Sequence, residues 1–249
     1  MSPGAPAPQT AIIFTGGINH PFEHAAPVLA AILADAGFEV SVTTDLDEVL
    51  SALRADQTAL LVNYALRWSM TQDEKYAPDR EAWALRVPQS ARDAITGHVS
   101  GGGGLLGIHT ASICFDDWSQ WRDVLGGAWQ WGRSWHPAPG PTQVKLDLVH
   151  ELVRGLADFA IRDEVYSDLD LTPQIDVAAW ARAEVAPGGR ETGTQPALWT
   201  HRYGRGRVVY DALGHDSQSL EHPVHRRILQ RSALWASGHD TVERLSCAM

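Results

Sequence analysis

The chain has 249 residues with a formal net charge of −10 at pH 7, and 44% of its residues are hydrophobic while 20% are charged. This length and composition predict a soluble globular protein with a substantial core. The acidic balance argues against sequence-independent binding of nucleic acid, which needs clustered Lys and Arg. No run approaches the roughly 18 apolar residues of a membrane span, so we expect no membrane partner.

The two cysteines, Cys114 and Cys247, lie far apart and form no CxxC pair. This usage is typical of a reducing compartment and of a protein without a disulfide framework. The opening residues, MSPGAPAP, contain neither the basic nor the apolar segment of a signal peptide. We therefore expect a cytoplasmic protein with a flexible tail over residues 1–9, a single domain over 10–240 and a second tail over 241–249.

The first half of the chain alternates strands and helices. Hydrophobic periodicity and turn residues predict strands at 11–15, 38–43, 59–64 and 104–108, and helices at 27–36, after the capping residue Asp45, and at 90–100. Residues 68–88 are expected to form an irregular insertion. This order predicts an α/β fold, a flavodoxin-like three-layer sandwich with a mostly parallel central sheet.

The second half is less regular. Its pattern predicts strands at 144–148, 159–164, 177–184, 196–202 and 207–212, followed by a closing helix at 223–237. Neither an internal repeat nor a linker rich in Pro, Gly or Ser divides the sequence, which favours one domain.

The segment GGGGLLGIHTAS, residues 101–112, is the most informative in the chain. It predicts a buried strand, a tight turn and a helix, an arrangement that lifts one side chain above the carboxyl edge of an α/β sheet. That side chain is His109, where nucleophile-elbow enzymes have Ser or Cys. An imidazole there can bind a metal, move a proton or hold a polar ligand. Cys114 is predicted to lie on the following helix as a buried, inert thiol.

Other chemically active side chains also follow predicted strands. Because the carboxyl ends of parallel strands meet at one edge of a sheet, we expect these groups to converge with His109. They are His20, His136, the pair Glu164 and Tyr166, and the pair His215 and Asp216. His24 lies four residues after His20, a spacing that could hold a metal on one helical face, although Pro21 disturbs the turn between them. No phosphate-binding glycine motif stands where its mechanism requires, so no nucleotide cofactor is expected.

Tryptophan is unusually frequent, with ten in the chain and five between residues 118 and 135. Indole faces stack on the C–H faces of sugar rings, and Trp118 and Trp135 are predicted substrate contacts. Packing in the core or at the interface of a homo-oligomer remains an alternative for these residues.

Taken in order, several segments resemble the trehalose-utilisation (ThuA-like) family, from about residue 11 to residue 238. The segments that carry the resemblance are GIHTAS around His109, WHP around His136, DEVY from residue 163 to Tyr166, YGRGRVVY before residue 211 and GHD ending at Asp216. The resemblance implies a fold similar to class I glutamine amidotransferases without their catalytic cysteine. It also implies carbohydrate metabolism, around disaccharides or their 3-keto derivatives.

Our first hypothesis is an enzyme that acts on a disaccharide, a glycoside or its 3-keto derivative by proton transfer, giving isomerisation, elimination or hydrolysis. A divalent metal, zinc or similar, would assist. The predicted catalytic residues are His109, Glu164, His215 and Asp216; the predicted metal ligands are His109, His215 and His20; and the predicted substrate contacts are His20, His136, Tyr166, Trp118 and Trp135. The alternative is a non-catalytic sugar-binding or accessory protein on the same scaffold. A glutamine amidotransferase is disfavoured because its thioester chemistry needs a thiolate at the turn.

Overall fold

The computed structural model describes residues 9–55, 58–185 and 188–239. The predicted tails lie outside this part of the chain, except for Gln9, which begins the first strand. Cys247 also lies outside the described residues.

Strands and helices occupy most of the predicted positions. The strands are β1 (Gln9–Gly17), β2 (Phe38–Thr43), β3 (Thr58–Leu66), β4 (Gly104–Ile108), β5 (Gly127–Ala128), β6 (Gly140–Leu146), β7 (Phe159–Asp163), β8 (Asp170–Leu171), β9 (Asp176–Ala183), β10 (Gln195–Tyr203) and β11 (Gly206–Asp211). The helices are α1 (Phe22–Asp35), α2 (Leu46–Arg54), α3 (Arg80–Trp83), α4 (Gln89–Ser100), α5 (Trp121–Leu125), α6 (Ser217–Glu221) and α7 (Pro223–Ala236).

Within the described residues, the central sheet has nine strands in the order β2-β1-β3-β4-β11-β10-β9-β6-β7. The first five pair in parallel, and their order is the 2-1-3-4-5 winding of flavodoxin-like folds. The strands β1, β3 and β4 are nearly continuous apolar runs, as expected for strands covered on both faces. This confirms the predicted flavodoxin-like, glutamine amidotransferase-like α/β fold.

The remaining strands pair antiparallel, and this half of the sheet curves back over the parallel half. In a flat sheet, β7 would lie about 19 Å from β11, because four spacings of roughly 4.8 Å separate them. Yet a carboxylate oxygen of Asp163, at the end of β7, accepts a hydrogen bond of 2.8 Å from the amide of Gly214, just beyond β11. The curvature therefore brings the last strand to the carboxyl edge of the parallel strands.

Local structure departs from the predictions at several places, since β6 begins at Gly140 rather than residue 144 and the short elements α3, β5, β8 and α6 were not predicted. Helix α1 begins at Phe22 rather than residue 27 and carries Pro27 in its second turn. The helix predicted after β4 is wrong in length, since a single 3-10 turn (His109–Ser112) is followed by turns and then by the short α5. Cys114 lies in those turns, where it is 1% exposed. No described helix is long and apolar enough to cross a membrane.

Candidate functional site: a histidine–glutamate centre

His109 stands at the turn after β4 with its side chain completely buried. Its backbone is left-handed, with φ of 47°, which costs an L-residue about 1–2 kcal/mol. The hydroxyl of Tyr210 donates to the His109 carbonyl at 2.7 Å and holds this conformation. The ring nitrogen Nδ1 lies 2.7 Å from the carbonyl oxygen of Ala212. Because a carbonyl can only accept, Nδ1 carries the proton and the lone pair of a neutral ring is on Nε2.

His20 follows β1, which is separated from β4 by β3, and its side chain reaches the same point. Its Nε2 lies 3.1 Å from Nε2 of His109, and its Nδ1 lies 3.4 Å from the carbonyl oxygen of Ile18. Burial lowers the pKa of His20 to about 4, with the neighbouring imidazoles His109 and His215 acting in the same direction. His20 is therefore neutral near pH 7.

Glu164, one residue after β7, lies among four imidazoles. Its Oε2 is 3.4 Å from Nε2 of His109 and 3.8 Å from Nε2 of His20. Its Oε1 is 3.3 Å from Nδ1 of His136 and 3.7 Å from Nε2 of His215. We call this group, Glu164 with His20, His109, His136 and His215, the His–Glu centre.

The carboxylate of the His–Glu centre is ionised. Burial acts to raise the pKa of Glu164, but the imidazoles of His109, His136 and His20 around the carboxylate outweigh it and hold the pKa far below its usual range. The pKa of His136 is raised, because the hydrogen bond and charge of Glu164 outweigh the effect of its burial. Even so, Oε2 of Glu164 is buried and has no hydrogen-bond donor among the described residues. A buried anionic oxygen in that state is costly unless a cation compensates it.

Three residues of the centre are placed to share one ion. Nitrogens of His20 and His109 and an oxygen of Glu164 lie within 4.8 Å of one another. Ligand atoms on a tetrahedron with bonds of 2.0–2.1 Å are about 3.3 Å apart, and the three separations here are 3.1, 3.4 and 3.8 Å. Of the metal ligands predicted from sequence, His20 and His109 belong to this group, while Nε2 of His215 faces the other oxygen of Glu164 at 3.7 Å.

Asp163 anchors the centre from beneath and was not singled out from the sequence. The side chain is fully buried, and its oxygens accept from the amides of Glu164 (2.8 Å), Gly214 (2.8 Å) and His215 (3.3 Å), and from the hydroxyl of Ser219. Gly214 has φ of 113°, and a Cβ at this position would lie 2.9 Å from a methyl group of Ile108. The carboxylate thus fixes both Glu164 and the loop that presents His215.

The alternation of inward-facing and outward-facing residues along β7 is the sequence signal that could have identified Asp163. Phe159, Ile161 and Asp163 are its buried positions, and the residues between them are exposed. An acid at the third inward position of an alternating strand is a buried carboxylate, which needs partners at the strand end.

His136 is held over Glu164 by the backbone of its neighbour. Trp135 and Ser167 form an antiparallel bridge, with N–H to O distances of 3.2 and 2.8 Å. The indole of Trp135 donates to Asp168 at 3.2 Å, and the guanidinium of Arg190 lies 3.9 Å from its ring centroid. Trp135 therefore positions the loop, and its contacts are outside the His–Glu centre. The side chain of His136 is 36% exposed, the most accessible of the four imidazoles.

Tyr166 forms an aromatic wall of the centre. Its ring stacks on His109, with centroids 4.4 Å apart, and lies 5.3 Å from the ring of His136. Its hydroxyl is buried and has no hydrogen-bond partner within the described part of the chain. Burial raises the pKa of this phenol well above its ordinary value, so the group is a neutral donor.

The other predicted residues lie at the periphery. Asp216 caps α6, accepting from the amide of Ser219 at 3.0 Å, and approaches the centre only through His215, whose Nδ1 is 3.5 Å away. Trp118 is 3% exposed and packs against Trp121. The side chain of His24 is 75% exposed and faces Glu23, so it does not join His20 in a metal pair.

Cys114 has the inert character predicted for it. Burial raises the pKa of its thiol to about 12. The side chain faces the carbonyl of Arg67 rather than the His–Glu centre.

The fold and this centre define a class: a doubly wound α/β protein with a histidine at the turn after its fourth strand. The sequence matches the profile of the ThuA family, described as trehalose utilisation, over residues 10–236. The chain therefore belongs to the ThuA family, which places it among proteins of carbohydrate metabolism.

Solved structures show the same fold. A ThuA-like protein from Parabacteroides merdae ATCC 43184 matches with a TM-score of 0.72 and 19% identity, over 93% of this chain and 90% of that one. A ThuA-like protein from Bacteroides uniformis ATCC 8492 matches with a TM-score of 0.62 and 21% identity, over 96% and 98% of the two chains. The β-galactosidase of Rahnella sp. R3 matches with a TM-score of 0.57 and 16% identity, over 90% of this chain and 30% of that one. None of the curated proteins matches the sequence.

Proposed function

We propose that the protein is an enzyme that removes a proton from a 3-keto-glycoside and eliminates its glycosidic group, with a divalent cation bound at His20, His109 and Glu164. The observation that carries this proposal is the ionised, buried Oε2 of Glu164, which faces two Nε2 atoms and lacks a hydrogen-bond donor in the described chain.

The two imidazoles are suited to a cation because both turn an Nε2 atom toward the same oxygen of Glu164. Nδ1 of His109 donates to a carbonyl, which fixes the tautomer and aims the Nε2 lone pair toward Glu164. His20 is neutral near pH 7 because burial lowers its pKa to about 4. Two neutral nitrogens and a carboxylate are a ligand set typical of a catalytic zinc site, which leaves a position for substrate. When bound, the ion would polarise the keto oxygen of the sugar as a Lewis acid.

The other half of the centre is suited to move the proton. In a 3-keto-glycoside, the hydrogen on C2 is acidic because it is next to the carbonyl. His136, the most accessible imidazole, would take this proton through Nε2, since its Nδ1 faces Glu164 at 3.3 Å. The C–H electrons form the C1–C2 double bond as the C1–oxygen bond breaks, and the departing oxygen takes up a proton. His215, on the same carboxylate oxygen, is placed to supply that proton.

A metal measurement tests the centre independently of turnover. Protein purified without a polyhistidine tag should bind one zinc ion per chain, measured by calorimetry and elemental analysis. Because these residues are direct ligands, His20→Ala and Glu164→Gln should each weaken zinc binding about 100-fold or more. His24→Ala is the matched control, since its side chain is exposed, and should leave affinity unchanged. Unaltered zinc binding in both ligand variants would overturn the proposed site.

A turnover measurement tests the reaction. Methyl 3-keto-α-glucoside should release methanol in the presence of the wild-type protein, with loss of the C2 hydrogen to solvent. His136→Gln should slow this release at least about 100-fold, as expected for loss of a general base. Binding of the sugar with no turnover, with or without zinc, would instead support the accessory, sugar-binding function.

A further inference from the structure

A groove lined by tryptophans opens beside the His–Glu centre. It encloses about 330 Å³ and is lined by Trp118, Trp129 and Trp131 together with polar side chains; we call it the Trp groove. Trp129 joins the two regions, because its ring lies 5.4 Å from that of Tyr166 and 5.8 Å from that of His136. A ligand with one part in the groove and another at Glu164 would pass along this indole.

The groove offers a preformed aromatic platform. Trp131 is 37% exposed, yet its ring is backed by the buried Trp68, with centroids 6.3 Å apart and planes within 26°. Trp129 stands at its side, with centroids 6.1 Å apart and an angle of 65°. Rings fixed in this way contribute contact area at small entropic cost, because little freedom remains to be lost on binding.

Polar groups around the platform match the hydroxyls of a neutral ligand. Asp116 is oriented by the amide and hydroxyl of Ser69, both at 2.7 Å, and Asp170 pairs with Nε of Arg122 at 2.8 Å. Each carboxylate retains lone pairs that can accept hydrogen bonds. The indole N–H of Trp129 is buried and has no acceptor among the residues described. Two carboxylates in the lining disfavour an anionic occupant.

We infer that the Trp groove binds a second sugar ring, so that the substrate is a glycoside of at least two rings with the reacting ring at Glu164. A sugar ring has apolar C–H faces, which can stack on the indole rings of this groove. Its hydroxyl groups can form hydrogen bonds with the polar side chains around them. The inference rests on the proposed function and adds to it the number of rings and the place of the second one.

The test compares ligands with two rings and with one. Calorimetry on zinc-free protein, in which turnover is not expected, would measure the affinities of 3-keto-trehalose and methyl 3-keto-α-glucoside for the wild-type chain and for Trp131→Ala. Loss of the platform should weaken 3-keto-trehalose about threefold to tenfold and leave the methyl glycoside unchanged. Trp131→Phe, which keeps an aromatic ring, should recover most of the affinity for 3-keto-trehalose that Trp131→Ala loses. Trp180→Ala, a partly buried tryptophan on β9 outside the groove, is the matched control and should change neither affinity.

The outcomes separate the subsite from the reaction. Equal weakening of both ligands, no weakening of 3-keto-trehalose in Trp131→Ala, or no binding of it to wild-type protein would overturn the subsite. Turnover of the methyl glycoside would still stand as support for the proposed function in each case. Conversely, a selective loss of 3-keto-trehalose binding in Trp131→Ala supports the subsite even where no keto-sugar is turned over.

Discussion

Replacing Asp163 by Asn should destabilise the protein strongly, although the two side chains have almost the same shape. One carboxylate oxygen accepts from the amide of Glu164 at 2.8 Å, and the other accepts from the amide of Gly214 at 2.8 Å. An Asn side chain has one accepting oxygen and one donating NH2 group. Whichever way the amide is turned, its NH2 group faces a backbone N–H, so one buried donor loses its acceptor.

The size of the effect follows from these contacts. A buried donor left without an acceptor costs about 1–3 kcal/mol, and hydrogen bonds to a charged acceptor contribute about 1 kcal/mol more than neutral ones. For the three backbone amides and the Ser219 hydroxyl at Asp163, we expect a loss of about 3–5 kcal/mol in the free energy of unfolding. At about 2–4 °C per kcal/mol for a chain of this size, Tm should fall by roughly 6–20 °C.

Thermal unfolding followed by circular dichroism measures the change, and zinc calorimetry below the transition measures its effect on the centre. Asp158→Asn is the matched control, because Asp158 is exposed and accepts one backbone hydrogen bond, from Leu146 at 2.9 Å. The free energy of unfolding of Asp158→Asn should be lower than that of the wild type by less than about 1 kcal/mol. A fall in Tm for Asp163→Asn no larger than that of Asp158→Asn would refute the anchoring role of Asp163.

Three further predictions concern the buried residues His225, Tyr166 and Cys114. The pKa of His225 is raised from 6.5, because the charge and hydrogen bond of Asp211 outweigh its burial. A raised folded-state pKa gives stability that is fully present below about pH 6.5 and is lost as the pH rises through the folded pKa. Urea unfolding between about pH 6 and pH 9 should therefore show a smaller loss of stability with rising pH in His225→Gln than in wild type; equal pH dependence would contradict this. Tyr166→Phe removes a buried hydroxyl without a partner in the described chain, so Tm should hold or rise. Because this hydroxyl is available to donate to the substrate, kcat/KM for the keto-glycoside should fall about tenfold or more; an unchanged kcat/KM would assign it a packing role. Cys114→Ala should leave turnover unchanged, since burial raises the pKa of the thiol to about 12, and a loss of glutaminase activity in this variant would reverse that reading.

The parallel half of the fold and the histidines at its edge could both be predicted from the sequence, because both depend on recognising the buried apolar strands. Runs of apolar residues such as those of β3 and β4 are buried on both faces, and their length and order define the winding. Side chains directly after such strands, His20 and His109 among them, must then meet at one edge. Their 3.1 Å separation is a consequence of the strand order that the sequence pattern predicts.

What the sequence could not supply was the distance between groups carried by different halves of the sheet. Whether Glu164 or His215 lies closer to the Nε2 atoms of His20 and His109 depends on the curvature of the antiparallel strands. No local sequence pattern predicts that curvature. The role of Asp216 as a helix cap was equally hidden, because an acid before a short helix and an acid in a site have the same sequence signature. Trp135 illustrates a further limit, since its partner Arg190 lies far along the chain.

The curvature of the sheet also determines the order in which the groups of the His–Glu centre come together during folding. His20 and His109 are carried by the N-terminal strands, whereas the acid that completes their set arrives only when β7 has closed onto the loop after β11. An intermediate with a folded N-terminal half would display two imidazoles but no counter-charge. Zinc uptake at the proposed site should therefore lag behind the formation of secondary structure and coincide with closure of the last strand.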